Sequence, residues 1–124
     1  MSAPRVSERV VQAQVVKALR LVGARVYVLG TVHAGEPGRM TTRMTPGIGD
    51  VLAFLPVSRT GHPRHQLWLE VKAAGGRLSE AQKSFRDVCA LAGVPYVTGG
   101  LDVVLAYLQQ RGYLTETAWY RRPA

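Results

Sequence analysis

Asp50-Val51-Leu52-Ala53-Phe54-Leu55 and Gln66-Leu67-Trp68-Leu69-Glu70-Val71-Lys72 are two short apolar runs, and each carries a carboxylate at one end. Between them, Pro56 to His65 holds Gly61 and Pro63 and reads as a loop joining two strands. Side chains two apart in a strand point the same way, so Glu70 and Lys72 share one face, with Trp68 behind them. Strands adjacent in sequence and joined by a loop are usually antiparallel neighbours. Asp50 opens the first run after the Pro46-Gly47 turn, and Glu70 nears the end of the second, so pairing sets them side by side.

Working outward, Ala73 to Arg77 is a glycine-containing turn, and Ser79 begins a helix. Its apolar stripe is Ala81, Phe85, Val88, Cys89 and Ala92, and Gly93 ends it. Pro95 to Thr98 is a short strand, Gly99-Gly100 a break, and Leu101 to Gln110 a last helix. On the N-terminal side, His33 to Gly47 is a long basic loop carrying Arg39 and Arg43, of a kind that often serves function in small domains. Arg25 to Val32 is β-branched and aromatic and reads as a strand. Arg5 to Val22 is helical, with Val11, Val15, Ala18 and Val22 on one stripe and Gly23 as its stop. The order is α-β-β-β-α-β-α. The strand–helix–strand step makes one pair parallel, so the fold class is α/β with a mixed four-stranded sheet flanked by helices. Residues 1–124 form a single domain, with 113–124 as a tail or a contact with a second copy.

The chain has 124 residues, 47% of them hydrophobic, which is enough for a core. Sixteen Lys and Arg against 8 Asp and Glu give a net charge of +8, which attracts polyanions. Nucleic acid ranks above a membrane surface because no basic helix has a bulky apolar face. The single cysteine, Cys89, excludes an intrachain disulfide and a thiolate metal cluster, and its place on a helix stripe assigns it to the core. The N-terminus lacks the apolar stretch of a signal peptide, and no run reaches the ~18 apolar residues of a membrane span. A cytoplasmic protein without a membrane partner is expected.

Two neighbouring carboxylates repel and raise each other's pKa unless a cation lies between them. Oxygen donors of this kind suit Mg²⁺, or Mn²⁺ in its place, completed by waters and phosphate oxygens. Lys72 beside them can orient a water or stabilise charge developing on phosphorus. The competing account is an ordinary Glu–Lys arrangement at an exposed strand end.

Gly49-Asp50-Val51-Leu52-Ala53-Phe54, then Trp68-Leu69-Glu70-Val71-Lys72, then Leu78-Ser79-Glu80-Ala81-Gln82 resembles the PD-(D/E)XK nuclease superfamily. The match is to its virus-type replication-repair nuclease branch, VRR-NUC, and extends from the first helix to Leu108. One departure is Gly49, where the family usually has proline directly before the aspartate; Pro46 lies further upstream. The resemblance implies that Asp50, Glu70 and the Val71 carbonyl bind metal and that Lys72 is the catalytic lysine. It also implies a first-helix glutamate, matched by Glu8, and a glutamine, matched by Gln82. Glu8 extends the stripe 8, 11, 15, 18, 22 backwards, which points it toward the sheet; its alternative is a helix-start carboxylate favoured by the dipole. Gln82 has a second account, because Ser79-Glu80-Ala81-Gln82 is also a capping box. The implied activity is Mg²⁺-dependent hydrolysis of DNA phosphodiesters, on branched DNA such as four-way junctions, by a homodimer.

Arg39, Arg43, Arg77, Lys83 and Arg86 flank the motifs and are candidates for phosphate contacts, each equally readable as a solvated charge. Arg43 is preferred, since the Pro46-Gly47 turn brings it toward Asp50. His62 and His65 lack a third ligand and read as solvent-exposed, and His33, at a strand end, reads as structural, with a catalytic base as its alternative. Trp119 and Tyr120 beside Arg121 and Arg122 suit either base stacking or docking on a second subunit. Three rivals remain: a non-catalytic nucleic-acid-binding module, a sequence-specific restriction-type nuclease, and an RNA-cleaving enzyme.

Overall fold

A computed structural model of the protein describes residues 6–29 and 45–115. Their elements run α1 (Glu8–Leu21), β1 (Arg25–Val28), β2 (Val51–Leu55), β3 (His65–Val71), α2 (Glu80–Leu91), β4 (Tyr96–Gly99) and α3 (Leu101–Gln110). The order matches the expected α-β-β-β-α-β-α. Asp50 falls just outside β2 as a bend, and β1 is assigned only to Val28, the expected residues 30–32 lying outside the described ones. So do His33, Arg39, Arg43, Trp119, Tyr120, Arg121 and Arg122. No helix among the described residues is long and apolar enough to cross a membrane.

The sheet order is β1-β2-β3-β4. β1 pairs β2 and β2 pairs β3 antiparallel, whereas β3 and β4 run parallel across the α2 crossover. Alternation divides the sheet into two faces. Val51, Ala53 and Leu55 on β2 and Leu67, Leu69 and Val71 on β3 are buried with Val11, Val15, Val16 and Leu19 of α1 and Val104, Tyr107 and Leu108 of α3. This is the core. Burying a side chain such as Leu19, Leu67 or Leu69 contributes about 1.5–3 kcal/mol.

The opposite face carries a row running Tyr27, Leu52, Trp68, Tyr96 across all four strands. α2 covers only part of it, through Phe85, whose ring lies edge-on to Trp68 at 5.2 Å and to Tyr96 at 6.1 Å. The expected α2 stripe is therefore partly wrong. Phe85 and Cys89 turn inward, but Val88 is 60% exposed, and Ala92 is exposed as well. α2 rests on one half of a sheet, so only a narrow arc of it is covered.

His62 and His65 are half-buried rather than exposed. They stack edge-on at 4.8 Å, and His65 spans the Pro63 carbonyl through Nδ1 (2.9 Å) and the Tyr107 hydroxyl through Nε2 (2.7 Å). That assigns Nδ1 as the donor to the carbonyl and Nε2 as the acceptor from the phenol. The pair secures the β2–β3 loop at the end of β2 remote from Asp50.

Candidate active site

Three elements meet at one end of the sheet. Asp50 precedes β2 and is held there by its own carbonyl, which accepts the Leu29 amide at 2.8 Å. Its carboxylate crosses to β3 and accepts the Val71 amide, at 3.0 Å through Oδ1 and 3.3 Å through Oδ2. The turn before it depends on Gly47, which has φ +84° and lies so close to α2 that a Cβ would run into the Ala81 carbonyl. Only glycine meets both conditions.

Glu70 is 5% exposed, and with Ser58 it is one of two buried polar or charged residues among the described ones. Burial is the first cause that pushes its carboxyl up to about 8, followed by the negative charge of Asp50 and a hydrogen bond to it. Asp50 is also raised by burial, opposed by the Val71 amide and by its hydrogen bond with Glu70. Each carboxyl therefore keeps its proton more readily than a free carboxyl, Glu70 the more so because the charge of Asp50 adds to burial. Lys72 lowers both. Its backbone amide donates to the Gly99 carbonyl at 3.0 Å, so the lysine extends the pairing of β3 with β4 one residue past the strand.

Glu8 is exposed at the first turn of α1, where Ser7 caps the helix by accepting the Val10 amide at 3.3 Å. Both accounts of Glu8 have a basis here. It occupies the helix start, and its charge also raises Glu70. A Cβ placed on Gly76 would lie 3.3 Å from a Glu8 carboxylate oxygen and 3.3 Å from the Lys72 side chain, so both converge over this turn. Among the described residues, no group of three or more His, Cys, Asp or Glu side chains stands close enough to hold a metal ion. Asp50 and Glu70 form the inner pair and Glu8 stands further out. The donor set still fits a divalent cation, because the charge of two neighbouring buried carboxylates is offset when a cation lies between them.

Gln82 forms the capping box: its Oε1 accepts the Ser79 amide at 2.7 Å, and the Ser79 hydroxyl accepts the Gln82 amide at 3.2 Å. Its amide nitrogen makes no hydrogen bond among the described residues. Arg77 is exposed beside the Gly75-Gly76 turn. Lys83 pairs with Glu80 at 3.3 Å and Arg86 with Asp87 at 3.1 Å, both exposed.

Tyr96 was not singled out by its sequence position. It lies on the Glu70 face of the sheet, paired in register with Trp68, and its hydroxyl is buried with no hydrogen-bond partner among the described residues. Burial, and then the charge of Glu70, push this phenol up to about 12. The parallel register of β3 and β4 makes this neighbour, and a crossover of unknown geometry hides it from sequence reading.

No protein-family model matches this sequence, and no curated protein matches it. Among solved structures, one described as "VRR_NUC domain" is similar over 82% of this chain and 94% of its own, with a TM-score of 0.58 and 22% identity. The open four-stranded sheet and three helices thus have the fold of a VRR_NUC domain, as the motifs around Asp50 and Glu70 led us to expect.

Proposed function

We propose that this protein is a divalent-metal-dependent nuclease of the PD-(D/E)XK type that hydrolyses DNA phosphodiesters. The observation that carries this reading is the buried Asp50–Glu70 carboxyl pair beside Lys72, at one end of a sheet with a nuclease-type fold. Asp50, Glu70 and the Val71 carbonyl would hold the cation, with Mg²⁺ the first choice, Mn²⁺ its substitute and Glu8 in an outer position. When bound, such a cation supplies an activated water and stabilises negative charge on the leaving oxygen.

The chain's own residues do the rest. The Val71 amide fixes the Asp50 carboxylate so that it needs no reorganisation as substrate arrives. Lys72 balances the carboxylates and offers its ammonium to a phosphate oxygen or to the attacking water. Arg77, Lys83 and Arg86, together with Arg39 and Arg43, supply positive charge for phosphates on either side. The net charge of +8 supports a polyanionic substrate. The finer reading is a homodimer acting on branched DNA, since two equivalent cuts in a four-way junction require two sites related by a two-fold axis.

Cleavage of linear, flap and four-way DNA with Mg²⁺ or EDTA, beside Asp50→Ala and Glu70→Ala, tests this. Metal-dependent cutting that both variants lose is expected. Equal cutting by the variants would overturn the assignment, and cutting of linear DNA alone would remove only the junction preference.

A further inference from the structure

The Tyr96 phenol oxygen is the one buried side-chain polar atom without a hydrogen-bond partner among the described residues. A hydroxyl shut away from water in this way is costly, and such orphans are rare in folded proteins. Residues paired in register share a face of the sheet, so Trp68 and Tyr96, Glu70 and Thr98 all lie on the side that carries α2. Phe85 stands edge-on to the Tyr96 ring at 6.1 Å, and buried Cys89 follows one helical turn later, so α2 closes the phenol off from solvent. Trp68 and Phe85 offer no acceptor, and the Cys89 thiol is a weak one. Thr98 lies near enough to act on the phenol but does not hydrogen-bond it. The charge felt most strongly at this hydroxyl is that of Glu70, ahead of Asp50. Asp50 already accepts the Val71 amide, whereas Glu70 has no such backbone donor among the described residues.

We propose that Tyr96 is a positioning residue for Glu70, its buried hydroxyl donating to the Glu70 carboxylate when that side chain holds a divalent cation. The role rests on the nuclease reading of the site, to which it adds a residue outside the motifs. On one enclosed face the phenol is a donor without an acceptor, and Glu70 is an acceptor without a backbone donor. A ligating carboxylate places one oxygen on the cation and leaves the other to a hydrogen-bond donor, which fixes its rotation. Such a bond to an ionised oxygen is roughly twice as strong as one to a neutral acceptor, so Glu70 outcompetes the Thr98 hydroxyl for the phenol. The rival account keeps Tyr96 for aromatic packing between Trp68 and Phe85 alone. Phenylalanine would serve that packing equally well and would bury no orphan oxygen.

The test is Tyr96→Phe in the full chain, which keeps the ring and removes the oxygen. The thermal midpoint of the metal-free protein and the Mn²⁺ affinity are both read by calorimetry, beside the wild-type chain. The midpoint is expected to stay level or rise, since an unpartnered hydroxyl is lost. Mn²⁺ affinity is expected to weaken by roughly 10–100-fold, the range for losing a group that orients a metal ligand. In the wild-type protein, Mg²⁺ should also shift the phenol carbon resonance of Tyr96, as the hydroxyl gains an acceptor. A packing role moves neither the affinity nor the resonance. Wild-type Mn²⁺ affinity in Tyr96→Phe, or a Tyr96 resonance indifferent to Mg²⁺, overturns the proposal. So does a lowered midpoint, which would place the hydroxyl in a bond of the metal-free fold. A wild-type chain that binds no Mn²⁺ overturns the nuclease reading and this role together, whereas wild-type binding and cleavage beside an indifferent Tyr96→Phe remove the role alone.

Discussion

The Asp50 carboxylate accepts the Val71 amide through both oxygens, tying the entry of β2 to the middle of the Glu70-Val71-Lys72 tripeptide. One side chain therefore completes a structural bond and supplies a candidate metal ligand. The two roles separate by substitution. Asp50→Ala leaves the amide of buried Val71 without its partner and should cost about 1–3 kcal/mol in urea unfolding. Asp50→Asn keeps an acceptor and loses the charge, so it should retain most of that stability while DNA cleavage is lost.

Glu70 gives the apoprotein a pH signature. Its folded pKa of about 8 lies above the ordinary carboxylate value, so between roughly pH 4.5 and pH 8 the folded state binds a proton that the unfolded chain has released. Stability from this group is present at low pH and is lost as pH rises through 8. Glu70→Gln should flatten that fall and raise the thermal midpoint at pH 8, read by calorimetry without metal.

Cation binding must displace the proton that burial and the Asp50 charge favour on Glu70. Mn²⁺ affinity measured by titration calorimetry should rise about tenfold per pH unit below pH 8 and level off above it, the slope for one released proton. Buffers of different ionisation heat should report that proton directly. A pH-independent affinity would contradict the raised Glu70 carboxyl.

Gln82 is committed to the capping box through its Oε1. Gln82→Ala should destabilise by about 0.5–2 kcal/mol, the range for a lost cap. Gln82→Glu preserves the cap, so its cleavage rate isolates any part played by the amide nitrogen. Unchanged cleavage by Gln82→Glu assigns the residue to the helix start alone.

Gly47 is the position least open to change around the site. Gly47→Ala combines a positive φ with a collision against the Ala81 carbonyl and should cost upwards of about 2 kcal/mol, with Asp50 displaced and cleavage reduced as a consequence. Chemical denaturation and a cleavage assay on the same preparation check both effects.

The sequence by itself determined the order of elements, because apolar periodicity and Gly or Pro punctuation are local properties. It also determined the Asp50–Glu70 juxtaposition, because a short loop between two strands leaves antiparallel pairing as the simple solution. The capping box was equally legible, since Ser79 and Gln82 interact within one turn. Tertiary structure decided what depends on distant contacts. It brought Tyr96 onto the Glu70 face through the parallel register, and it turned His62 and His65 into a half-buried pair through Tyr107. It also left Val88 and Ala92 in solvent, although their helical stripe matches that of buried Cys89. Periodicity shows that a helix has an apolar face. Only the packing of α2 on half a sheet shows how much of that face is covered.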